Sequence, residues 1–443
     1  MMRSFQPLHR ALAITALAGL TCLGATPAPP LPGDLAGDVA QSYRLLTTTY
    51  YESVSPQSLL VAASGALAAA ARKHGVTIAT PALQGARDAA LAQLDDAIAS
   101  AAQASNASPS EFAYVAIDAM AKATNDRYTQ FFTPAEYRAF NQALDPEKIG
   151  GIGVMITPDA ESGFVRVSYV VPSTPAERAG LSMGDLITAV NGTTTKGLNI
   201  DGVSGLLRGK PGTVVSVTFR RATASSSVSI TRENVQPPTV VYKMLPDGIA
   251  YVWVVAFGRS TPSEFDTAIA RLFNEGAKAL VLDLRNDGGG YVNSALDISS
   301  RFIANKALLT VEERGRRATT IDSDGNPSVT IPVSVLVNQY TASASEITAG
   351  ALQDDGIATL VGARTFGKGV MQTLTPLPDG AAIKITTAHY LTPNHRDINL
   401  RGIDPDVAVV ENKDARFGDT ASDAQLRAAI ELLQKKIARS PSS

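Results

Sequence analysis

The chain has 443 residues, of which 45% are hydrophobic and 18% are charged, so two or three folded domains are expected and wholesale disorder is excluded. Its net charge of −2 provides no basic field that could hold nucleic acid. It has four histidines and one cysteine, without HExxH or CxxC spacing, so we predict neither a metal site nor a cofactor.

The N-terminus has the pattern of an export signal. A basic start is followed by an apolar run at residues 11–20, which is too short to span a bilayer comfortably. A small-residue cleavage site ends at Ala25, so we predict a signal peptide at residues 1–25 and a periplasmic or cell-envelope location. The alternatives are an uncleaved membrane anchor and a lipoprotein signal at Cys22. Cleavage after Ala25 would leave no cysteine for a disulfide or a thiol nucleophile.

The next region is predicted to be helical. Residues 28–37 are rich in proline and glycine and have the composition of a linker. Residues 39–104 are alanine-rich with apolar residues at helical spacing. A further helix is predicted at 111–123, with Ser108 or Ser110 as its cap. We interpret this region as a packing or dimerisation segment, which is compatible with a homodimer.

A second unit has the pattern of a small β-rich module. Glycine-rich residues 150–154 (GGIGV) open it, and residues 164–169 alternate as a strand does. Asn191 and Gly192 form a strong hairpin-turn signal, and residues 208–213 are a second turn.

The third unit alternates strands with helices, which indicates an α/β layer structure with a largely parallel sheet. A hairpin turns at residues 378–380, and its second arm is 381–391. A terminal amphipathic helix is predicted at 421–438. The other predicted elements are buried strands at 249–257, 279–284 and 333–337, and helices at 263–274, from 292, and through 352.

Residues 338–346 (NQYTASASE) follow a buried strand and begin a helix. Ser343 is therefore predicted at the carboxyl end of the sheet, where α/β proteins place their sites. It also lies at the positive end of a helix, where free N–H groups can stabilise an oxyanion. The alternative is that Thr341, Ser343 and Ser345 only cap the helix.

A serine hydroxyl needs a base to act as a nucleophile. The Gly-x-Ser-x-Gly elbow is absent, and neither His389 nor His395 has an evident orienting carboxylate. Lys368 lies between glycines and beside an aromatic residue, where the backbone can approach another element. To act as a base its pKa would have to fall from roughly 10.4 to near neutrality, which costs about 4 kcal/mol. The alternative is a surface lysine on a glycine-rich turn.

Three glycines at 288–290 directly follow the strand at 279–284. Such a loop can direct backbone N–H groups at a developing oxyanion. The alternative is a tight strand-to-helix turn. The Ser343 segment, the Lys368 segment and the glycine loop lie in one predicted domain, and each follows a sheet strand. Together they indicate an active site more strongly than any one of them does alone.

These segments resemble the C-terminal processing peptidases, also called tail-specific proteases, over about residues 40–435. Ser343 falls in the family's Ser-Ala-Ser-Ala-Ser-Glu segment, and Lys368 falls in its Thr-Phe-Gly-Lys-Gly segment, with Gln372 four residues later. Three positions depart from the family pattern: Tyr340 for a frequent glycine, Thr341 for a usual serine, and Gly288 for proline. The other matching segments are 128–132, 283–290, 352–354, 390–393 and 402–406.

The resemblance implies a role for each matching residue. Ser343 would attack the scissile carbonyl, Lys368 would take its proton, and Gln372 would orient the lysine. The implied oxyanion donors are the backbone N–H groups of Gly288 or Gly289 and of Ala344.

The second unit resembles a PDZ domain, whose glycine loop grips a terminal carboxylate while the peptide adds a strand to the sheet edge. The alternative is that these glycines only allow the backbone to turn in an ordinary β-hairpin. Arg208 lies in a family loop that we expect to relay ligand binding to the protease. The predicted peptide-binding residues are Gly151, Ile152, Gly153, Val154 and Ile156.

We therefore expect an α/β multidomain protein with a crotonase/ClpP-like serine protease core. Its expected partners are proteins with exposed C-terminal tails, and no nucleic acid. The rivals are a non-catalytic PDZ scaffold protein and a crotonase-like acyl-transfer enzyme. The predicted division is a signal peptide at 1–25, a helical region at 38–147, a PDZ domain at 148–234, a protease core at 237–415 and a C-terminal helix at 418–440.

Overall fold

The structure is a computed structural model that describes residues 28–78, 86–144, 146–159, 161–412 and 418–439. The predicted signal peptide at 1–25, including Cys22, lies outside these residues. Over the described ranges, no helix has the length and apolar character needed to cross a membrane.

Helices form the first part of the chain, as predicted. The helix expected at 111–123 begins at Pro109 with Ser108 at its N-cap, where proline is favoured in the first turn. The predicted linker at 28–37 is wrong in part, since a helix begins at Gly33 because Leu35 joins the hydrophobic cluster. The elements are α1 (Gly33–Thr48), α2 (Pro56–Lys73), α3 (Arg87–Ser105), α4 (Pro109–Lys122), β1 (Gln130–Phe132) and α5 (Pro134–Leu144).

The β-rich module is an antiparallel sheet in the order β3-β4-β5-β7-β8, with β6 beside β5 and a separate β2–β9 pair. The hairpin predicted at Asn191 and Gly192 joins β5 to β6, and both residues have positive φ, at 48° and 79°. The elements are β2 (Ile149–Gly151), β3 (Val154–Pro158), β4 (Val165–Val170), α6 (Pro175–Arg178), β5 (Leu186–Val190), β6 (Thr193–Thr194), α7 (Ile200–Leu207), β7 (Val214–Arg221), β8 (Ala224–Thr231) and β9 (Glu233–Val235).

The third unit contains a six-stranded sheet in the order β10-β11-β12-β15-β16-β19. Every pairing in it is parallel except that of the edge strand β10, which confirms the predicted layer structure. The elements are β10 (Val240–Leu245), β11 (Ile249–Val254), α8 (Thr261–Asn274), β12 (Ala279–Asp283), α9 (Val292–Ser300), β13 (Ala307–Glu313), β14 (Thr319–Asp322), β15 (Val333–Val337), α10 (Ala344–Asp354), β16 (Ala358–Gly362), β17 (Val370–Pro376), β18 (Ala382–Leu391), β19 (Val407–Ala408) and α11 (Ala424–Arg439).

A second sheet joins distant parts of the chain in the order β1-β18-β13-β14, with β17 beside β18. Only its β17–β18 hairpin was predicted, and this prediction is confirmed. Phe131 on β1 pairs with Ile383 on β18. As a result, Leu377 and Ile385 of the hairpin lie in the same hydrophobic cluster as α1–α4. The terminal helix α11 likewise packs on the parallel sheet, through Leu426 and its neighbours.

Candidate active site

The carboxyl ends of three adjacent parallel strands form the candidate site. The loop after β12 carries the three glycines, the loop after β15 leads to Ser343, and the loop after β16 leads to Lys368. Because β12, β15 and β16 are neighbours in the sheet, their carboxyl ends lie together. The glycine loop, the Ser343 segment and the Lys368 segment, which are separate in sequence, are therefore adjacent in the fold.

Ser343 lies at the N-cap of α10 in a sparsely populated backbone conformation, with φ 59° and ψ −116°. Such a conformation in a non-glycine residue costs about 1–3 kcal/mol and is concentrated at functional sites. The neighbouring hydroxyls have structural partners: Thr341 Oγ1 donates to the Leu284 carbonyl, and Ser345 Oγ donates to the Asp287 carbonyl. Of the three residues, Ser343 is therefore the one that occupies the N-cap of α10.

Glu346 connects the serine segment to the lysine segment. Its side chain is fully buried, and Oε2 accepts the N–H groups of Ser343 at 2.9 Å and of Lys368 at 2.8 Å. Oε1 accepts the Gly367 N–H at 2.7 Å and the Thr365 hydroxyl. Sequence reasoning gave Glu346 no role, although its position three residues after Ser343 is the spacing of a capping box.

Tyr390 provides a second connection between the same two segments. Its buried hydroxyl lies 2.7 Å from the Lys368 carbonyl oxygen, to which it donates, and 3.2 Å from the Ser343 carbonyl oxygen. The ring itself packs in the hydrophobic core of the protease unit. The backbones of Ser343 and Lys368 are thus fixed by both a carboxylate and a hydroxyl.

Burial lowers the pKa of Lys368 below its ordinary value, while the charges of Glu346 and Asp126 act in the opposite direction. Lys368 Nζ lies 5.1 Å from the centroid of the Tyr128 ring, which the β1–β18 pairing brings to the site. Among the described residues, no hydrogen bond joins Lys368 Nζ to the Ser343 hydroxyl. In this conformation the amine lies over the Tyr128 ring instead.

Gln372 lies on β17 opposite Thr386 of β18, and its Nε2 donates to Thr386 Oγ1 at 3.4 Å. Among the described residues, no hydrogen bond joins Gln372 to Lys368, so its role in orienting the lysine stays a prediction. The physical reason for the contact within the hairpin is the strand register, which pairs Gln372 directly with Thr386.

The glycine loop packs directly against the serine. A Cβ added to Gly289, whose φ is +94°, would lie 2.9 Å from Ser343 Cβ and 2.8 Å from Ala344 N. The prediction of Gly289 as an oxyanion donor is wrong for this conformation, because its N–H donates to Asp287 Oδ1 at 2.8 Å. Within the described chain, the N–H groups of Gly288 and Ala344 donate no hydrogen bond, so both stay available for an oxyanion.

A groove of about 310 Å³ lies between β3 and α7 of the β-rich module. Its lining is mainly apolar, and Ile200 and Leu207 of α7 line one side. Sequence reasoning did not name the α7 residues, although their apolar spacing was visible. All of the predicted peptide-binding residues line this groove, together with the predicted regulatory residue: Gly151, Ile152, Gly153, Val154, Ile156 and Arg208.

Comparison with known proteins identifies the family. The family described as Peptidase family S41 matches residues 248–409, and a PDZ domain matches residues 166–221. A carboxyl-terminal-processing protease of Picosynechococcus sp. (strain ATCC 27264 / PCC 7002 / PR-6) is 35% identical over 72% of this chain and 79% of its own length. The chain belongs to the carboxyl-terminal-processing proteases. It is therefore a serine-type peptidase with a PDZ domain, as the sequence resemblance implied.

Two further members of this protease group are similar to the chain. Carboxyl-terminal-processing peptidase 3, chloroplastic, of Arabidopsis thaliana is 34% identical over 67% of this chain and 60% of its own length. A solved photosystem II D1 C-terminal processing protease is 27% identical and covers 86% of this chain and 94% of its own, with a TM-score of 0.48.

In the described part of this processing protease, no group of three or more His, Cys, Asp or Glu side chains could hold a metal ion. The chemistry that the site can perform with its own residues is acid–base and nucleophilic chemistry. A serine, an amine of lowered pKa and two free N–H groups are the components of acyl transfer.

Proposed function

We propose that this processing protease is an exported endopeptidase that cleaves proteins with Ser343 as nucleophile and Lys368 as general base. We further propose that its PDZ groove binds the C-terminal tails of its substrates. The observation that carries the catalytic assignment is the pair of hydrogen bonds from Ser343 N–H and Lys368 N–H to a single oxygen of Glu346.

The surroundings of Ser343 suit a nucleophile whose attack turns a carbonyl oxygen into an oxyanion. The hydroxyl is on a residue at the N-terminus of α10, where the helix dipole favours negative charge. The N–H groups of Gly288 and Ala344 would donate to the carbonyl oxygen as it becomes an oxyanion. Removing one such donor typically costs 10²–10³-fold in kcat.

In the proposed reaction the neutral amine of Lys368 takes the Ser343 proton as Oγ bonds to the scissile carbonyl carbon. The carbonyl electron pair moves to oxygen and then returns, breaking the C–N bond, and Lys368 gives its proton to the leaving amine. A water molecule, losing its proton to Lys368, then attacks the acyl carbon, the bond from that carbon to Ser343 Oγ breaks, and Lys368 returns the proton to Oγ. The lowered pKa of Lys368 makes the neutral amine more available for both steps.

Tail binding is proposed on the geometry of the groove. β3 pairs with β4 on one side, and a peptide would add as a strand on the side that faces α7. The terminal carboxylate would lie at the glycine loop of residues 151–153, and the last side chain would lie in the apolar groove. Arg208, which lines the same groove, would attract the carboxylate.

The catalytic assignment is tested with the purified full chain and an unfolded protein substrate that has an apolar C-terminal tail. We expect wild type to cleave it, and Ser343→Ala and Lys368→Ala to lose at least 10³-fold in kcat/KM. Ser263→Ala on α8 and Lys435→Ala on α11 are the matched controls and should cleave as wild type does. Equal cleavage by wild type, Ser343→Ala and Lys368→Ala would refute the Ser–Lys assignment.

Tail recognition is tested with the same substrate carrying a free or an amidated C-terminus. We expect amidation to slow cleavage by wild type. Arg208→Ala should abolish the difference between the two substrates while retaining cleavage of the amidated one. If wild type cleaves both equally, the groove does not bind the carboxylate. If Arg208→Ala still distinguishes them as wild type does, Arg208 has no role in the recognition.

A further inference from the structure

A buried carboxyl group supports the glycine loop beside Ser343. Asp287 is fully buried, and its Oδ1 accepts the Gly289 N–H at 2.8 Å. Its Oδ2 is also buried and has no hydrogen-bond partner among the described residues. The main-chain carbonyl of Asp287 accepts the Ala342 N–H at 3.0 Å and the Ser345 hydroxyl at 3.1 Å. Asp287 thus binds both the glycine loop and the turn that carries the serine.

The charged groups on the neighbouring elements have other partners. On the same strand end, Arg285 pairs with Asp283 and with Asp423 from the segment before α11. On α10, Glu346 accepts four hydrogen bonds from the serine and lysine segments. On the loop after β16, Lys368 lies over the Tyr128 ring. In the ranges that the structure describes, no lysine, arginine or histidine forms an ion pair with Asp287.

We propose that Asp287 is a positioning residue that works as a neutral carboxylic acid, holding the Gly289 peptide against Ser343, and that its ionisation inactivates the site. This inference rests on the proposed role of Ser343. A neutral carboxyl oxygen accepts the Gly289 N–H without placing charge beside the reacting atoms. The N–H of the preceding Gly288 is then left to the oxyanion.

The distances explain why charge on Asp287 would oppose the reaction. Asp287 contacts Gly289, and Gly289 is packed so closely on Ser343 that a single added carbon would overlap the serine. A carboxylate there would lie near the developing oxyanion in a poorly solvated region, where like charges repel strongly. Burial raises the pKa of Asp287 to about 8, opposed only by the Gly289 N–H and the Ser345 hydroxyl.

The inference predicts the shape of the pH–rate profile. Activity should rise with pH as Lys368 loses its proton, and should fall above about pH 8 as Asp287 ionises. Asp287→Asn keeps a neutral oxygen for the Gly289 N–H and cannot ionise. We expect it to retain kcat within a few-fold at pH 7 and to lose the falling limb, with KM unchanged.

Asp354→Asn is the matched control, because Asp354 belongs to the same unit, its side chain is only 4% exposed and it pairs with Arg396. It should keep the falling limb. The inference is overturned if Asp287→Asn keeps the falling limb, or if it loses 100-fold or more in kcat at pH 7.

Infrared spectroscopy tests the protonation state without relying on activity. The difference spectrum of wild type minus Asp287→Asn should contain the carbonyl stretch of a protonated carboxylic acid at pH 7, and this band should disappear above about pH 8. The same measurement in a Ser343→Ala background separates the two proposals. Cleavage by Ser343→Ala would refute the proposed nucleophile, whereas absence of the band at pH 7 would refute the neutral acid.

Discussion

Ser343 and Lys368 donate their backbone N–H groups to the same atom, Oε2 of the buried Glu346, at 2.9 and 2.8 Å. The two segments come from loops after different strands, so this carboxylate fixes their relative position. Separating them would leave a buried charge without its donors, which is strongly unfavourable. The relative placement of the proposed nucleophile and base therefore depends on this carboxylate, together with the Tyr390 hydroxyl that lies between their carbonyl groups.

Glu346→Gln should reduce kcat by about 100-fold with little change in KM, because small displacements of reacting groups have effects of that size. The free energy of unfolding should fall by about 2–3 kcal/mol, since hydrogen bonds to a charged acceptor are weakened or lost. Glu264→Gln is the matched control, because Glu264 Oε2 also accepts two backbone N–H groups, from Thr239 and Val240. It should lose stability in urea unfolding and keep kcat. Equal kcat losses in the two variants would contradict a specific role of Glu346.

Gly289→Ala should inactivate the enzyme, whereas Gly288→Ala should be tolerated. A Cβ at Gly289 would lie 2.6 Å from the Ala342 carbonyl oxygen at a φ of +94°, while a Cβ at Gly288 meets nothing within 4 Å. We expect Gly289→Ala to lose about 2–4 kcal/mol of stability and at least 100-fold in kcat. Gly288→Ala keeps its N–H and should remain within a few-fold of wild type. Thermal unfolding and steady-state kinetics measure both, and similar behaviour of the two variants would contradict the packing argument.

Tyr390→Phe should lower kcat by about tenfold and the free energy of unfolding by about 1–2 kcal/mol. The change retains the packed ring and removes the hydroxyl shared by the Ser343 and Lys368 carbonyls. Tyr251→Phe is the matched control, since its buried hydroxyl donates to Asp283 Oδ2 at 2.7 Å. The control should lose stability without losing kcat. A Tyr390→Phe variant with wild-type kcat would show that the hydroxyl does not position the site.

Asp38→Asn should stabilise the protein above neutral pH. Burial, followed by the hydrogen bond and charge of Asp379, raises the pKa of Asp38 from 3.8 to about 7. Between these values the folded state binds more protons than the unfolded state, so stability is highest below pH 3.8 and falls as the pH rises to 7. The total is on the order of 4 kcal/mol, since one unit of pKa corresponds to about 1.4 kcal/mol. Asparagine stays neutral and should remove this part of the pH dependence.

The measurement is the free energy of unfolding in urea between pH 4 and pH 8. Asp118→Asn on α4, where Asp118 pairs with Lys122, is the control and should keep the wild-type slope. If Asp38→Asn gives the wild-type slope as well, Asp38 does not hold its proton in the folded state.

The predicted elements that agree with the structure are those with strong local patterns. The strands at 279–284 and 333–337 are largely apolar runs, and β12 and β15 occupy them with every residue buried. The strands β13 and β14 were not predicted; β14 is short and largely exposed, and it pairs with β13. The pairing of β1 with β18 joins residues more than two hundred positions apart, which no local pattern indicates.

The amino-acid sequence determined which residues are proposed to carry the chemistry, because the proposed nucleophile, the proposed base and the glycine loop each follow an apolar strand and each has a distinctive local motif. The tertiary structure decided how these groups are related. It fixed Ser343 and Lys368 on Glu346, turned the Gly289 N–H towards Asp287, and placed Tyr128 over the lysine. Hydrogen bonds between loops depend on strand order and on burial, and these follow from packing of the whole chain rather than from neighbouring residues.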